Sequence, residues 1–261
     1  MSSQLTSNET FAAEARAEYD RNKTGPFTSP TGEFLAFLPL SFYSNATGQI
    51  HGSALHQNSS DLLPEDTPAE VKRGYQRELE ILNERLEAND SAMLELLWAD
   101  GAIVLGLQHP YSRGSIKTIS ANVFDGVVAD AGFLRNPLDV ALLAEGVRFT
   151  RKLMSTSAMS SLTPFEIVPG GNVTSDAALE QYIRSSAETL YHPAGSCQMG
   201  AREDGGVVDQ DLKVYGVEGL RIVDASVMPL LPASHLMTTV YAVAEKVSIY
   251  RSRLFGVRSL T

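Results

Sequence analysis

A single cysteine, Cys197, in 261 residues excludes an intramolecular disulfide and any multi-cysteine metal site. Metal binding would fall to histidines and carboxylates, and neither HExxH nor a comparable spacing occurs. Long apolar runs are missing too: none approaches the roughly eighteen residues of a membrane span, and MSSQLTSNETFAAEARAEYDRNK has no apolar core of signal-peptide length. The chain as written is therefore expected to be cytoplasmic and to cross no membrane. Positive charge is scarce. Lys and Arg number 21 against 31 Asp and Glu, a net charge of −10, which repels nucleic acid and anionic membrane surfaces alike. GxGxxG is absent as well; GGNVTSD (170–176) and GGVVD (205–209) fail its spacing, so the chain shows no dinucleotide-binding loop of its own.

What is present describes a globular protein. Hydrophobic residues make up 43% and charged residues 20%, enough apolar material for one large domain or two small ones. Asn8, Asn22, Asn45, Asn58, Asn89 and Asn172 each open an Asn-X-Ser/Thr triplet, six of nine asparagines, where Ser/Thr abundance predicts roughly one or two. That excess suggests descent from secreted glycoproteins, and a secreted protein if the chain is the carboxyl-terminal part of a longer precursor.

A short helix is expected over 10–22, a Pro/Gly turn over 24–32, and a strand-like run over 33–42 that Pro39 ends or places at an edge. Residues 44–68 read as loop throughout, with His51 and His56 solvated. From Pro68, Val71, Tyr75, Leu79, Leu82 and Leu86 recur at helical spacing, an amphipathic helix. Residues 101–110 read as a buried strand and 112–122 as an alternating one with Ile116 and Ile119 near its middle; so short a connection favours antiparallel pairing between them. Arg113 there reads as a structural ion-pair partner. Asn136-Pro137 opens a helix with a side-chain cap and proline at its first position, burying Val140, Leu143 and Val147. A second capped helix follows Thr174 and Ser175. The last third offers a strand at 220–226 and a helix from about His235.

Two of the five histidines stand in segments that suggest a site. His192 lies between Tyr191 and Pro193, ahead of Gly195 and Ser196; the proline limits where the ring can point and the glycine permits close backbone approach. His235 follows Pro232-Ala233-Ser234 at a helix start, where the positive dipole end disfavours the imidazolium form and suits a general base. Spacing alone cannot bring the two together.

The block from YHPAGSCQMG through GGVVDQDLKVYGVEGLRIVDASVMPLLPASHLMTTVYAVAEK resembles the carboxyl-terminal signature of the glucose-methanol-choline (GMC) oxidoreductases. SRGSIKTISANVFDGVVADAGFLRNPLDVALLAEGVRF looks like that family's substrate-domain strands and following helix, and NKTGPFTS like the turn before them. The resemblance implies an α+β fold: an antiparallel sheet with packed helices, the substrate-binding domain, over 1–200, then a segment of the FAD-binding domain over 201–261. It implies that His192 takes the proton of an alcohol while hydride passes to FAD, and that His235 positions the substrate oxygen. Asp224, Ala225 and by extension Ser226 would approach the cofactor's pyrophosphate and ribityl chain, and the backbone of Leu236, Met237 and Thr238 its flavin edge.

The GxGxxG unit that binds FAD in this family has no counterpart here, and the strand at 220–226 would need a cover, from a second polypeptide or a second copy of the chain. Three functions stay open. The chain is half of an FAD-dependent alcohol oxidase or dehydrogenase acting on a small molecule; or it is a flavin-independent acid–base enzyme, a cyclase, dehydratase or isomerase of secondary metabolism, using the same histidines; or it is a non-catalytic remnant.

Overall fold

The computed structural model describes residues 4–28, 34–99 and 102–254. Part of the turn expected at 24–32 and the first residues of the strands expected at 33–42 and 101–110 lie outside them. In chain order the elements are α1 (Gln4–Ser7), α2 (Glu9–Asn22), β1 (Phe34–Leu38), α3 (Leu40–Tyr43), α4 (Thr47–Leu55), α5 (Ser59–Leu62), α6 (Ala69–Glu87), β2 (Leu94–Ala99), β3 (Ala102–Leu107), β4 (Ser115–Thr118), β5 (Val127–Asp130), α7 (Pro137–Met154), α8 (Ser157–Ser160), α9 (Asp176–Ser186) and α10 (Leu236–Leu254). The fold is α+β.

Strands β1, β2 and β3 form an antiparallel sheet in that order. Leu38, Leu94 and Leu107 stand side by side, then Phe37, Glu95 and Gly106, then Ala36, Leu96 and Leu105, then Leu35, Leu97 and Val104. Because side chains alternate, the rows beginning Leu38 and Ala36 face one way and the rows beginning Phe37 and Leu35 the other. The first face closes the main core: Leu94 is fully buried, and Leu38, Leu105 and Leu107 pack with Leu79, Leu82, Leu138 and Leu142 from α6 and α7. Helix α7 comes very close there. A Cβ on Gly146 would lie 2.9 Å from Leu94 Cδ2, so the helix can seat against β2 and β3 only where it lacks a side chain.

The start of α7 follows its sequence signals. Asn136 Oδ1 accepts from the Leu138 amide at 2.9 Å, with Pro137 at the first position. Asn136 is buried, and its amide exchanges two hydrogen bonds with Gln57, at 2.8 and 2.9 Å. Asp139, one turn in, accepts from the backbone amides of Tyr111 and Ser112 at 2.7 and 2.8 Å. These bonds fix the chain leaving β3. Arg113 pairs with Glu78 at 2.8 Å and donates to the carbonyls of Pro110 and Ser112, a structural role. Ser175 caps α9, whose Leu179 and Ile183 pack on α7 with Val140, Ala144, Leu143 and Val147.

Five readings of the sequence are corrected. Residues 44–68 contain two helices, α4 and α5: Ile50 and Ala54 bury on one side of α4, and Asn58, polar and loop-like in sequence, caps α5 by accepting from the Ser60 amide at 2.9 Å. His56 is exposed as expected, but His51 is half-buried, 3.8 Å from Glu87. The strands at 101–110 and 112–122 do not pair; β3 pairs with β2, which the sequence reading passed over, and β4 pairs with β5. β3 is an edge strand and only half-buried, while Ile116 and Ile119 are exposed at 58% and 62%, β4 and β5 being a two-stranded ribbon. Segment 220–226 is not a strand. It makes one bridge, Lys213 to Arg221, and turns into a 3-10 helix at Ala225–Val227; with one short neighbour there is no ladder to extend it.

The division expected at residue 200 is crossed by backbone hydrogen bonds from Val207 to Gln198 and from Gly200 to Val208, and by the pairing of Arg77 on α6 with Asp204. Val208, Leu212 and Val227 form a small core there with Val243 and Val247 of α10. Among the described residues no helix is long and apolar enough to cross a membrane.

Candidate active site

His192 and His235 meet. Their ring centroids are 5.2 Å apart with the planes at 50°, although 43 positions separate them in sequence.

The loop that carries His192 is shaped locally. Tyr191 has φ 62° and Gly195 φ 84°, left-handed positions that turn the chain twice within five residues. The loop is then laced to the 3-10 turn: the amides of Gly195, Cys197 and Met199 donate to the carbonyls of Ala225, Ser226 and Val227 at 3.3, 2.9 and 2.8 Å. The His192 ring is pinned by its own loop, Nδ1 lying 2.5 Å from the Leu190 carbonyl. A carbonyl only accepts, so Nδ1 carries the proton and Nε2 is left with a free lone pair.

His235 is held differently. Its Nε2 lies 2.8 Å from Oε1 of Glu95, and the Glu95 side chain is 3% exposed against 48% for the histidine. Gln108 donates to the other oxygen, Oε2, at 3.0 Å. A carboxylate accepts, so Nε2 of His235 is protonated and Nδ1 is the nitrogen available to a substrate. Local sequence around His235 shows the helix start and its dipole but not this buried carboxylate. The signal was there: Glu95 is the one charge in LELLWA (94–99), and a charge inside an apolar strand is buried only with partners.

Gly106, directly across from Glu95, makes the junction possible. A Cβ there would fall 2.4 Å from Leu190 Cδ1 and 3.6 Å from Glu95 Oε2. The absent side chain lets the loop that carries His192 settle over the same row of the sheet that reaches His235.

The other expected site residues lie around this pair in different ways. Asp224 is exposed; its Oδ1 accepts from the Ser226 amide at 2.8 Å and from Ser226 Oγ at 2.5 Å, capping the 3-10 turn. Ala225 and Ser226 are half-buried, with carbonyls bonded to the His192 loop. Leu236 turns its side chain inward at 5% exposure, whereas Met237 is 70% exposed and Thr238 exposed at the start of α10. Apart from the pair, a cavity of about 500 Å³ between α6, segment 227–233 and α10 is lined by His109 and Ser91, and by neither His192 nor His235. Among the described residues no three His, Cys, Asp or Glu side chains are grouped to hold a metal.

A family model described as GMC oxidoreductase matches residues 110–244, a span that contains both histidines and α7. The chain belongs to the GMC oxidoreductase family. Among its GMC relatives, patulin synthase of Aspergillus clavatus is 33% identical over 92% of this chain and 38% of its own length. GMC oxidoreductase family protein Mala s 12 of Malassezia sympodialis is 39% identical over 67% of this chain and 29% of its own. Of solved structures, an FAD-dependent oxidoreductase from Chaetomium thermophilum superposes with a TM-score of 0.92 at 29% identity, over 98% of this chain and 45% of that one. A fungal aryl-alcohol oxidase does so at 0.83 and 35%, over 95% and 43%. The chain thus spans less than half the length of these GMC relatives.

Proposed function

We propose that this chain supplies the proton-handling side of an alcohol-oxidising site whose cofactor is FAD, with the cofactor held in part by another segment or chain. The observation that carries this reading is the convergence of two imidazoles prepared for different tasks. His192, with Nδ1 bonded to the Leu190 carbonyl, presents Nε2 as a base to the hydroxyl proton of an alcohol. His235, with Nε2 on Glu95, holds the same oxygen by donating from Nδ1 in its doubly protonated form. Glu95 orients His235 and balances positive charge on it, as a third member that never touches substrate. Removing the hydroxyl proton prepares the carbinol carbon to release hydride, leaving an aldehyde or ketone.

FAD, when bound, supplies the acceptor for that hydride. The residues present fit it. Met237 and Thr238 are exposed at the first turn of a 19-residue helix, where backbone amides lack partners within the helix and the dipole favours electron-rich groups. Ala225, with only a methyl, would let the cofactor approach the turn that Asp224 caps, and Asp224 stands at the surface beside it. The likeness to an aryl-alcohol oxidase and to an FAD-dependent oxidoreductase supports the same assignment.

The test is turnover by the full assembly with FAD and a primary alcohol, comparing the unchanged chain with His192→Ala. We expect carbonyl product and bleaching of the flavin band without oxygen, with His192→Ala slowing reduction by about 10²- to 10⁴-fold. A colourless protein that converts substrate with no redox change would replace this reading by flavin-independent acid–base catalysis on the same histidines. Unchanged rates in His192→Ala would remove both.

A further inference from the structure

The cavity between α6 and α10 joins an apolar interior to a charged mouth. Its volume of about 500 Å³ falls within the ~300–1,000 Å³ of sites that hold small organic molecules. Leu82 of α6, Leu212, Leu230 and Val243 of α10 are among the apolar side chains that line it. Two polar groups stand in the same wall, and the sheet delivers both. The Gln108 amide donates to the Met93 carbonyl, which carries the β2–β3 pairing one residue beyond Leu94 and Leu107 and brings Ser91 and His109 close together at its end. Ser91 is 4% exposed and its Oγ has no hydrogen-bond partner, a deficit of about 1–3 kcal/mol. His109 engages the Leu231 backbone with one ring nitrogen, and the other has no partner among the described residues. The exposed side chains at the mouth are Arg85, Lys246, Asp90 and Asp211, with Lys213 paired to Asp211 at 3.6 Å. Three cations against two carboxylates leave a positive excess, in a chain whose net charge is −10. Arg85 forms no ion pair among the described residues.

We propose that this cavity is a second binding site, for an organic monocarboxylate whose body is an apolar chain or ring. The body displaces water from Leu82, Leu230 and Val243. The carboxylate meets the guanidinium of Arg85 and accepts from Ser91, whose Oγ reaches the cavity by one turn about χ1 between staggered positions. A carboxylate beside His109 favours the protonated imidazole, so binding takes up a proton and tightens as pH falls. The other ionisable groups around that ring are Arg85 and Lys246 on the helices and Asp90 and Asp211 on the loops. A phosphate ester would bring two charges to a small positive excess, and an organic ammonium would meet Arg85 with like charge. Neither His192 nor His235 lines the cavity, so the inference stands apart from the catalytic reading.

The experiment is isothermal titration of the whole chain by sodium octanoate, 1-octanol, octylammonium and acetate, each below the concentration at which it aggregates. It compares the unchanged chain with Arg85→Gln, Ile81→Trp and His109→Gln. Arg85 is exposed and Ile81, also in the wall, is 43% exposed, so both variants are expected to keep the fold, checked by melting temperature. Octanoate should bind at a single site about tenfold tighter than octanol, with octylammonium and acetate weaker than either. Arg85→Gln should cost octanoate about tenfold and leave octanol unchanged, the loss of one hydrogen bond between charged groups. Ile81→Trp, which puts a large ring into the mouth, should abolish binding of octanoate and octanol alike. From pH 8 to 6 octanoate should tighten about threefold or more in the unchanged chain and stay level in His109→Gln. Octanol binding as tightly as octanoate would overturn the inference, as would octanoate binding indifferent to Arg85→Gln, to Ile81→Trp or to pH. Absence of any binding, the result expected if another polypeptide fills the cavity, overturns it too. His192→Ala should leave octanoate binding unchanged, so turnover lost in that variant bears on the catalytic reading alone.

Discussion

Nε2 of His235 donates to Oε1 of Glu95 at 2.8 Å, joining the start of α10 to the second residue of β2, 140 residues earlier. The bond fixes which nitrogen of His235 faces substrate. It also puts a buried carboxylate beside the ring that, on the proposed function, holds the substrate oxygen.

Glu95→Gln keeps the shape but removes the charge and one of the two acceptors, so the new amide oxygen can serve His235 or Gln108 and not both. A hydrogen bond to a charged group contributes about 2 kcal/mol, so kcat for alcohol oxidation should fall about 30-fold, while KM and the melting temperature move little. Steady-state kinetics beside thermal unfolding decide it. A large loss of stability with unchanged kcat in the folded fraction would make Glu95 a packing residue only.

Gly106→Ala tests how the two halves of the site are fitted together. The new methyl would collide with Leu190 Cδ1, at 2.4 Å, and Leu190 supplies the carbonyl that pins His192. A leucine side chain can swing aside at modest cost, so stability should change by about 1 kcal/mol or less, whereas His192 loses its setting and the rate drops about tenfold. Adding Leu190→Ala should restore much of that rate, because the double variant removes the clash. Additive losses in the double variant would mean that Gly106 acts through something other than Leu190.

Much of this architecture is legible in the sequence, and the failures share a cause. The capped starts of α7 and α9, the apolar stripe of α6 and the break at Pro39 are local signals, decided within one or two turns of chain. Strand pairing is not local: β3 finds β2 rather than β4, and 220–226 makes a single bridge, from Arg221 to Lys213. The site divides the same way. Both histidines stand out through their proline and glycine neighbours, but Glu95 and Gly106 acquire meaning only from cross-strand register, which places an acid opposite a gap. Asn58 misled in the other direction, since the side-chain chemistry that favours a loop also caps a helix.

The six asparagines of Asn-X-Ser/Thr triplets are all exposed, whereas Asn136, outside any triplet, is buried. Glycans are bulky and need surface. Asn8 and Asn58 use Oδ1 as helix caps, leaving their amide nitrogens free for attachment. Expressed behind a secretion leader in a eukaryotic host, the chain should carry N-linked glycans at several of these six sites, read as a mass loss on endoglycosidase treatment. Secreted, folded protein of unmodified mass would show that the triplets are idle.

His109 gives the fold a pH dependence apart from the His192 and His235 pair. It lines the cavity beside α10; burial lowers its pKa below the usual 6.5, Arg85 pushes the same way, and a hydrogen bond with the Leu231 backbone opposes them. The unfolded chain, with the ordinary value, binds the proton more readily than the folded one. The stability tied to a neutral His109 is therefore fully present above pH 6.5 and is lost as pH falls through the lower folded value. Urea unfolding between pH 8 and 5 should show the unchanged chain losing more stability on acidification than His109→Gln, whose side chain stays neutral throughout. Parallel curves, or a steeper loss in His109→Gln, would mean that the imidazole is solvated in the folded state and that the cavity admits water to it.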